Sequence, residues 1–248
     1  MSHHNIGRVV WRELMTDDTN RVKGFYGELF GWKFEDMPMG DMTYTIIKLG
    51  ERGVGGLMKK PMPEAPAAWL SYVSVKDADA VAKSAAAEGG TVVVQPTDIP
   101  NVGRFTVFVD FAGAAIAALK GESEGPPMPE RPGVHDFCWE TLSTTDIARA
   151  EAFYAKVFGW QKKPGPTGEM TVLGTEQNMV ADVQKAQNMP PSWLTYVVVE
   201  KLEVANERVT KLGGKVFMPL IDVPKVGRIS AVQDPTGAVL GLFEPSMS

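Results

Sequence analysis

An eight-residue motif occurs twice in the chain and constrains its fold more than any other feature. The first copy, FYGELFGW, spans Phe25–Trp32, and the second, FYAKVFGW, spans Phe153–Trp160, 128 positions later. Apolar residues at helical spacing followed by a glycine are typical of the end of an amphipathic helix. We interpret both copies as packing segments, because large apolar side chains in this pattern are usually buried.

Other matched segments extend this repeat over both halves of the chain. The pairs are Gly40–Thr43 with Gly168–Thr171, Trp69–Val75 with Trp193–Val199, Val102–Arg104 with Val226–Arg228, and Asp110–Gly113 with Asp234–Gly237. The offset is 128 positions at Gly40 and 124 from Trp69 onward, and self-similarity at so nearly constant an offset indicates tandem copies of one structural unit.

Each half also contains the strand and helix order β-α-β-β-β twice. We therefore predict an α+β fold of four βαβββ modules, which span 7–60, 68–120, 134–186 and 192–244. The modules would pair into two domains, 1–121 and 134–248, that pack in a pseudo-twofold arrangement. Residues 122–133 would form the linker, since its prolines and glycines fit neither a helix nor a central strand.

Charge and composition exclude several classes of function. The net charge is −5, which offers no basic surface for nucleic acid or an anionic membrane. Cys138 is the single cysteine, so a disulfide framework within the chain is ruled out, and a cytoplasmic protein is favoured. No signal peptide or membrane-spanning run is apparent, and His3 and His4 are expected to be exposed at a frayed end. We expect a monomer or homodimer.

The modules and motifs resemble those of the vicinal oxygen chelate superfamily, which includes glyoxalase I, bleomycin-resistance proteins and extradiol dioxygenases. The most specific pieces are the two octets and Asp234–Ala238, and the resemblance covers nearly the whole chain outside the linker. It implies two glyoxalase-like domains, each with a half-closed sheet that holds a ligand cleft. Within the superfamily, the chain looks most like two-domain glyoxalase-related proteins sometimes labelled hydroxylases.

The resemblance also implies positions for metal ligands, and this chain departs from them. In the superfamily, His, Gln and Glu side chains on the first and last strands of paired modules hold a divalent cation. Most of the corresponding positions here carry side chains that lack an oxygen donor or an unprotonated nitrogen donor: Trp11, Leu70 and Ala117 in one cleft, and Trp139, Leu194 and Gly241 in the other. The remaining strand offers Gly56 or Met58 in the first cleft and at most one oxygen donor, Asp182 or Gln184, in the second, and one ligand does not make a metal site. We therefore predict no metal and no cofactor, and we interpret His135 as structural.

Strand alternation predicts which side chains line the clefts instead. The predicted substrate-binding residues are Trp11, Met15, Tyr72, Phe137, Trp139, Thr141 and Tyr196. An aromatic floor with few polar groups is typical of a site for a small organic molecule. Glu13 is the candidate catalytic residue, because burial against Trp11 would make its carboxyl a stronger base. The alternative is a structural ion pair of Glu13 with Arg12, Arg104 or another cation.

Three functions remain open from the sequence. The first is a metal-independent, glyoxalase-like protein that binds a small, partly aromatic organic molecule, with turnover undecided. The second is a lactoylglutathione-lyase-type or other metal-dependent lyase or hydroxylase with a displaced metal. The third is a non-catalytic protein that sequesters a toxic compound, as bleomycin-resistance proteins do. We expect two equivalent ion pairs to hold the loops that precede the arginines in place: Asp98 with Arg104, and Asp222 with Arg228. The alternative is that these arginines recognise an anion.

Overall fold

The structure is a computed structural model that describes residues 5–40, 42–123, 129, 131–166, 168, 170–187 and 189–246. His3 and His4, which the sequence predicts to be exposed, lie outside the described residues, as do residues 124–128 and 130 of the linker.

The first half of the chain forms two consecutive modules. The first consists of β1 (Val9–Thr16), α1 (Thr19–Phe30), β2 (Lys33–Met39), β3 (Met42–Leu49) and β4 (Arg52–Lys59). The second consists of β5 (Ala68–Ser74), α2 (Ala78–Ala87), β6 (Thr91–Ile99), β7 (Gly103–Val109) and β8 (Ala115–Gly121).

The second half repeats the same order. Its first module consists of β9 (Phe137–Thr144), α3 (Ile147–Phe158), β10 (Gln161–Pro164), β11 (Thr171–Gly174) and β12 (Met179–Lys185). Its second consists of β13 (Ser192–Val198), α4 (Leu202–Lys211), β14 (Lys215–Val223), β15 (Gly227–Gln233) and β16 (Val239–Pro245). The predicted α+β class with four βαβββ modules is confirmed.

The strands form two sheets with the same internal order. One has the order β2-β3-β4-β1-β5-β8-β7-β6, and the other has the order β10-β11-β12-β9-β13-β16-β15-β14. Within each module the first and last strands run parallel, as β1 does with β4 and β5 with β8. The outer strands of each sheet do not pair with each other, so neither sheet closes into a barrel.

The two octets end helices as their sequences predict. In α1, the Asp18 side chain accepts a hydrogen bond from the backbone N–H of Arg21 and caps the helix start. Gly31 then ends the helix in the left-handed region, with φ of 69°. In α3, Asp146 and Gly159 occupy the same two roles.

The chain packs into two compact units, each of which draws modules from both sides of the linker. The α1–α4 unit contains Trp11–Leu70, Arg131–Trp139 and Leu194–Ser248, and so joins the first module to the fourth. The α2–α3 unit contains Met1–Val10, Ser71–Glu130 and Glu140–Trp193, and so joins the second module to the third. Each unit has its own hydrophobic cluster of buried residues.

The aromatic residues of each octet lie in one of these cores, which confirms their interpretation as packing segments. In the α1–α4 unit, the Tyr26 hydroxyl accepts a hydrogen bond from Trp69 Nε1 at 3.2 Å and donates one to Asp234 Oδ2 at 3.0 Å. Asp234 Oδ1 in turn accepts the backbone N–H groups of the turn that follows it. In the α2–α3 unit, Trp193, Tyr154 and Asp110 form the matching chain. The tyrosine of each octet therefore holds the Asp-containing turn of a distant module.

Candidate ligand site on the first module

One face of β1 carries three of the residues predicted to bind or transform a ligand. Trp11, Glu13 and Met15 alternate along this strand and share its face. Leu14 points the opposite way and is fully buried in the core beneath α1. Trp11 and Met15 are half-buried, whereas Glu13 is only 7% exposed. The strand thus presents a nearly buried carboxylate between an aromatic and a thioether side chain.

Tyr44 on β3 completes a polar cluster with Trp11 and Glu13. Trp11 Nε1 donates a hydrogen bond to the Tyr44 hydroxyl oxygen at 2.9 Å. The Tyr44 hydroxyl donates to the Glu13 carboxylate, and burial, followed by the negative charge of Glu13, raises the pKa of Tyr44 far above its ordinary value. Tyr44 therefore remains a proton-bearing donor at neutral pH. Its contact with Glu13 was missed from the sequence, because it depends on strand register.

A glycine makes room for this cluster. Gly56 on β4 lies opposite Glu13 in the parallel pair of β1 and β4. A Cβ atom at Gly56 would lie 1.9 Å from the Tyr44 hydroxyl oxygen and 3.0 Å from Trp11 Nε1. Any other side chain here would displace Tyr44, so the glycine is a requirement of the cluster.

Methionines surround the polar cluster on the same sheet face. Across four strands, Met37 pairs with Tyr44, Tyr44 with Met58, and Met58 with Met15. Residues directly opposite in neighbouring strands share a face, so this face also carries Met39 and Met42, which pair at the tip of the β2–β3 hairpin. We call Met15, Met58, Met37, Met39 and Met42 the methionine row.

The equivalent place on the third module is more polar. The Thr141 hydroxyl lies 2.6 Å from Asp182 Oδ1, and both residues are buried. Asp182 lies opposite Thr141 in the parallel pair of β9 and β12, as Gly56 lies opposite Glu13. This pair lies within the α2–α3 unit and offers a carboxylate and a hydroxyl. The repeat places Met170 at the position of Met42, but Ser143 and Gln184 pair where Met15 and Met58 pair in the first module.

The remaining predicted binding residues lie in several environments. Tyr72 is 7% exposed, and its ring centroid is 6.3 Å from that of Phe105. Tyr196 is 4% exposed and covers Gly241, where a Cβ atom would approach its ring to 2.3 Å. Trp139 is half-buried on β9. Buried Tyr72 and Tyr196 contribute more to packing than to an open floor.

Phe137 lies in the core of the α1–α4 unit, although alternation from Trp139 predicts a cleft position. Its ring centroid is 5.2 Å from that of Trp32 and 5.5 Å from that of Trp69, and the residue is 3% exposed. Phe137 is the first residue of β9, where the chain passes from one unit to the other. The Phe137 side chain therefore packs in the α1–α4 core, and the alternation that orients the later residues of β9 does not predict its position.

The other polar residues considered from the sequence have structural contacts. His135 has a positive φ of 67°, its carbonyl oxygen accepts a hydrogen bond from Trp32 Nε1, and burial lowers its pKa. Arg104 bonds to Asp79 and to Asp98, in keeping with the expected loop-pinning pair. Arg228 differs from the expectation, because it bonds to Glu203 and Glu244, while its expected partner Asp222 lies opposite it in the pairing of β14 and β15.

The donor set does not fit the divalent metal of the superfamily. The implied positions carry carbon side chains or an indole N–H, apart from a single oxygen donor in the second cleft, Asp182 or Gln184, and a divalent site needs at least three protein ligands. Among the described residues, no three His, Cys, Asp or Glu side chains converge as a ligand group. In the first module, Glu13 is the one carboxylate of the polar cluster, and its neighbours are hydrogen-bond donors.

Comparison with known proteins places this fold in a family. Residues 137–242 match the model of the Glyoxalase/Bleomycin resistance protein/Dioxygenase superfamily, and residues 8–47 match that of the bleomycin resistance protein-like N-terminal region. The second half of the chain therefore contains a domain of this superfamily, and the resemblance found in the sequence is confirmed.

Two relatives and two solved structures illustrate the likeness. CFP32 of Mycobacterium tuberculosis, whose name assigns it provisionally to the glyoxylases, is 43% identical over 115 residues, which are 46% of this chain and 44% of that protein. The chain therefore matches less than half the length of this relative. The anthracycline biosynthesis protein DauV of Streptomyces sp. strain C5 is 29% identical over 96% of this chain and 93% of its own length.

Among solved structures, the Mn(II)-bound glyoxalase from Novosphingobium aromaticivorans superposes with a TM-score of 0.66 at 15% identity, over 97% of this chain and 82% of that one. The 2,3-dioxygenase LapB from Pseudomonas sp. KL28 superposes with a TM-score of 0.66 at 14% identity, over 98% and 94% of the two chains. At this identity the superpositions establish the fold alone. Among the described residues, no helix is both long and apolar enough to span a membrane.

Proposed function

We propose that this protein binds a small, partly aromatic organic molecule against Trp11, Glu13 and Tyr44 without a metal ion. The observation that carries the proposal is the Glu13 carboxylate, 7% exposed, which receives the Tyr44 hydroxyl on a face of aromatic and thioether side chains. A largely apolar surface with a few fixed polar groups is the usual composition of small-molecule sites. The relative DauV, which is named for anthracycline biosynthesis, supports an aromatic ligand.

Glu13 is the residue proposed to move a proton. Its carboxylate can accept hydrogen bonds from more than one donor, because each oxygen has two lone pairs. A ligand hydroxyl or an acidic C–H placed beside it would transfer its proton to a carboxylate oxygen, and the ligand would keep the electron pair as an anion. The raised pKa of Tyr44 keeps its proton in place, so that Tyr44 orients the carboxylate throughout.

Two alternatives differ in what happens to the ligand. Sequestration without turnover is favoured by the match of residues 8–47 to the bleomycin resistance protein-like N-terminal model, since these residues include Trp11, Glu13 and Tyr44. A metal-dependent lyase or hydroxylase is disfavoured by the donor set. We further propose a cytoplasmic monomer or homodimer, on the strength of the single cysteine, with domains 1–121 and 134–248 defined by the sequence repeat and by the sheet that each half forms, whereas the two cores each combine modules from both halves.

Isothermal titration calorimetry with phenol and an anthracycline, in chelator-treated buffer, tests the proposal. We expect saturable binding that Glu13→Gln weakens roughly tenfold to a hundredfold, because hydrogen bonds to a charged group contribute about 1.5–3 kcal/mol. Asp182→Asn, which changes a similarly buried carboxyl in the other unit, is the matched comparison and should leave this binding unchanged.

Mass spectrometry of the ligand after incubation separates the alternatives. An unchanged ligand supports sequestration, and a changed mass supports catalysis through Glu13 if Glu13→Gln abolishes it. Turnover of the methylglyoxal–glutathione adduct only when metal is added would establish the lyase. Identical binding by the wild type and Glu13→Gln, or no binding of either probe, would contradict the proposed site.

A further inference from the structure

The methionine row is an apolar surface beside the polar cluster. It holds five of the chain's 13 methionines, all on one face of β1, β4, β3 and β2. Three of them remain substantially exposed: Met37 at 46%, Met39 at 43% and Met42 at 44%. Exposed methionines placed contiguously on one sheet face are unusual in a surface with no binding role.

The chemistry of methionine indicates what this face contacts. The thioether is polarizable and the side chain is unbranched, so methionines adapt to an irregular apolar partner and make favourable sulfur–aromatic contacts. Four neighbouring strands at a spacing of about 4.8 Å give the row a length of roughly 14 Å from Met15 to Met37. This length exceeds a single ring and matches an extended, fused aromatic system that lies flat on the sheet.

The polar cluster indicates which polar group the ligand carries. Tyr44 lies between Met58 and Met37 of the methionine row, and it also belongs to the hydrogen-bond chain with Trp11 and Glu13. The buried negative charge of Glu13 complements a hydroxyl donor and repels an anionic substituent. A ligand that covers the methionines while meeting Glu13 thus has an aromatic body and a hydroxyl at its edge.

We propose that the methionine row and Glu13 together select planar, fused-ring phenols over single-ring phenols. This inference rests on the proposed function and names the class of ligand for the same face. It makes the β2–β3 hairpin, through Met37, Met39 and Met42, a determinant of specificity that acts by contact area rather than by catalysis.

Fluorescence titration with 1-hydroxypyrene, compared with calorimetry of phenol, tests this selection. We expect the wild type to bind 1-hydroxypyrene roughly tenfold or more tightly than phenol, because the larger ring system buries more apolar surface. Met37→Ser should weaken 1-hydroxypyrene binding roughly two- to tenfold and leave phenol binding within about twofold. The matched control is Met189→Ser, since Met189 is 45% exposed in the α2–α3 unit.

Each remaining outcome decides between the two proposals. If Met37→Ser and Met189→Ser bind 1-hydroxypyrene alike while Glu13→Gln still weakens phenol binding, the selection of fused rings is refuted and the small-molecule site stands. If neither probe binds, both proposals fail. A wild-type dimer in size-exclusion chromatography that Met37→Ser converts to monomer would assign the row to self-association and overturn the inference.

Discussion

Replacement of Tyr26 by phenylalanine tests the link between the octet and the Asp-containing turn. The substitution keeps the ring, which packs 1% exposed in the α1–α4 core, and removes one hydroxyl. Two hydrogen bonds are lost with it, the one from Trp69 Nε1 and the one to Asp234 Oδ2. Both partners are buried, at 9% and 4% exposure, so water does not readily replace the missing hydroxyl.

The expected loss of stability follows from Trp69 Nε1–H and Asp234 Oδ2, which both lose their hydrogen-bond partner. A hydrogen bond to a charged carboxylate contributes about 1.5–3 kcal/mol, and an unsatisfied buried N–H costs about 1–3 kcal/mol. Because the surroundings relax and Asp234 keeps the backbone donors on its other oxygen, we expect Tyr26→Phe to lower the free energy of unfolding by about 2–4 kcal/mol. That is a large share of the ~5–15 kcal/mol that stabilises a typical domain.

Urea denaturation followed by tryptophan fluorescence and by circular dichroism measures this loss. Tyr154→Phe removes the matching hydroxyl in the α2–α3 unit and should show a similar loss. A double-mutant cycle with Trp69→Phe should give a coupling of about 0.5–3 kcal/mol, since Tyr26 and Trp69 share a hydrogen bond. Losses below about 0.5 kcal/mol in both tyrosine variants, the range of neutral surface changes, would refute the reasoning.

Three further predictions concern the cluster, the pH response and the cores. Gly56→Ala should abolish ligand binding and destabilise by about 1–3 kcal/mol, because its Cβ would overlap the Tyr44 hydroxyl; Gly24→Ala, with open space at that position, should be tolerated in the same binding and melting assays. Burial, then the charges of Asp234 and Asp110, raises the pKa of Tyr26 and of Tyr154 above 10. The folded state therefore holds protons that the unfolded state releases, and chemical denaturation should show stability falling as pH rises past about 10; a flat profile from pH 9 to 11 would contradict this. Residues 1–121 expressed alone should self-associate in analytical ultracentrifugation, because each core would lack one of its two modules; a well-folded monomer would contradict that.

The sequence predicts local features well and non-local pairings poorly. The repeat, the helix ends at Gly31 and Gly159 and the four modules follow from patterns within a few residues. The placement of Tyr44 against Glu13 depends on the registers of β1, β4 and β3, which no local pattern specifies. Phe137 shows the same limit, because alternation along β9 cannot reveal which core buries its first residue.

The sequence pattern also does not indicate which modules share a hydrophobic core. All four helices have the apolar face that packing against a sheet requires, so this spacing alone does not determine which helices share a core. That α1 shares a core with α4, rather than with the helix of the adjoining module, is decided by packing across the whole chain. The hydrogen bond between Tyr26 and Asp234 joins residues 208 positions apart, so the pairing of modules depends on contacts between distant parts of the sequence.

This pairing of first and fourth modules has a consequence for the protein as it leaves the ribosome. The α2–α3 core is complete once Trp193 has emerged, whereas the α1–α4 core waits for the final strand near Leu240. At about 5–20 residues per second, the aromatic face of α1 stays uncovered for roughly 10–40 s after its synthesis. The first module is therefore buried only after the fourth has been synthesised, and until then Phe25, Phe30 and Trp32 form an exposed apolar surface of the kind that chaperones bind.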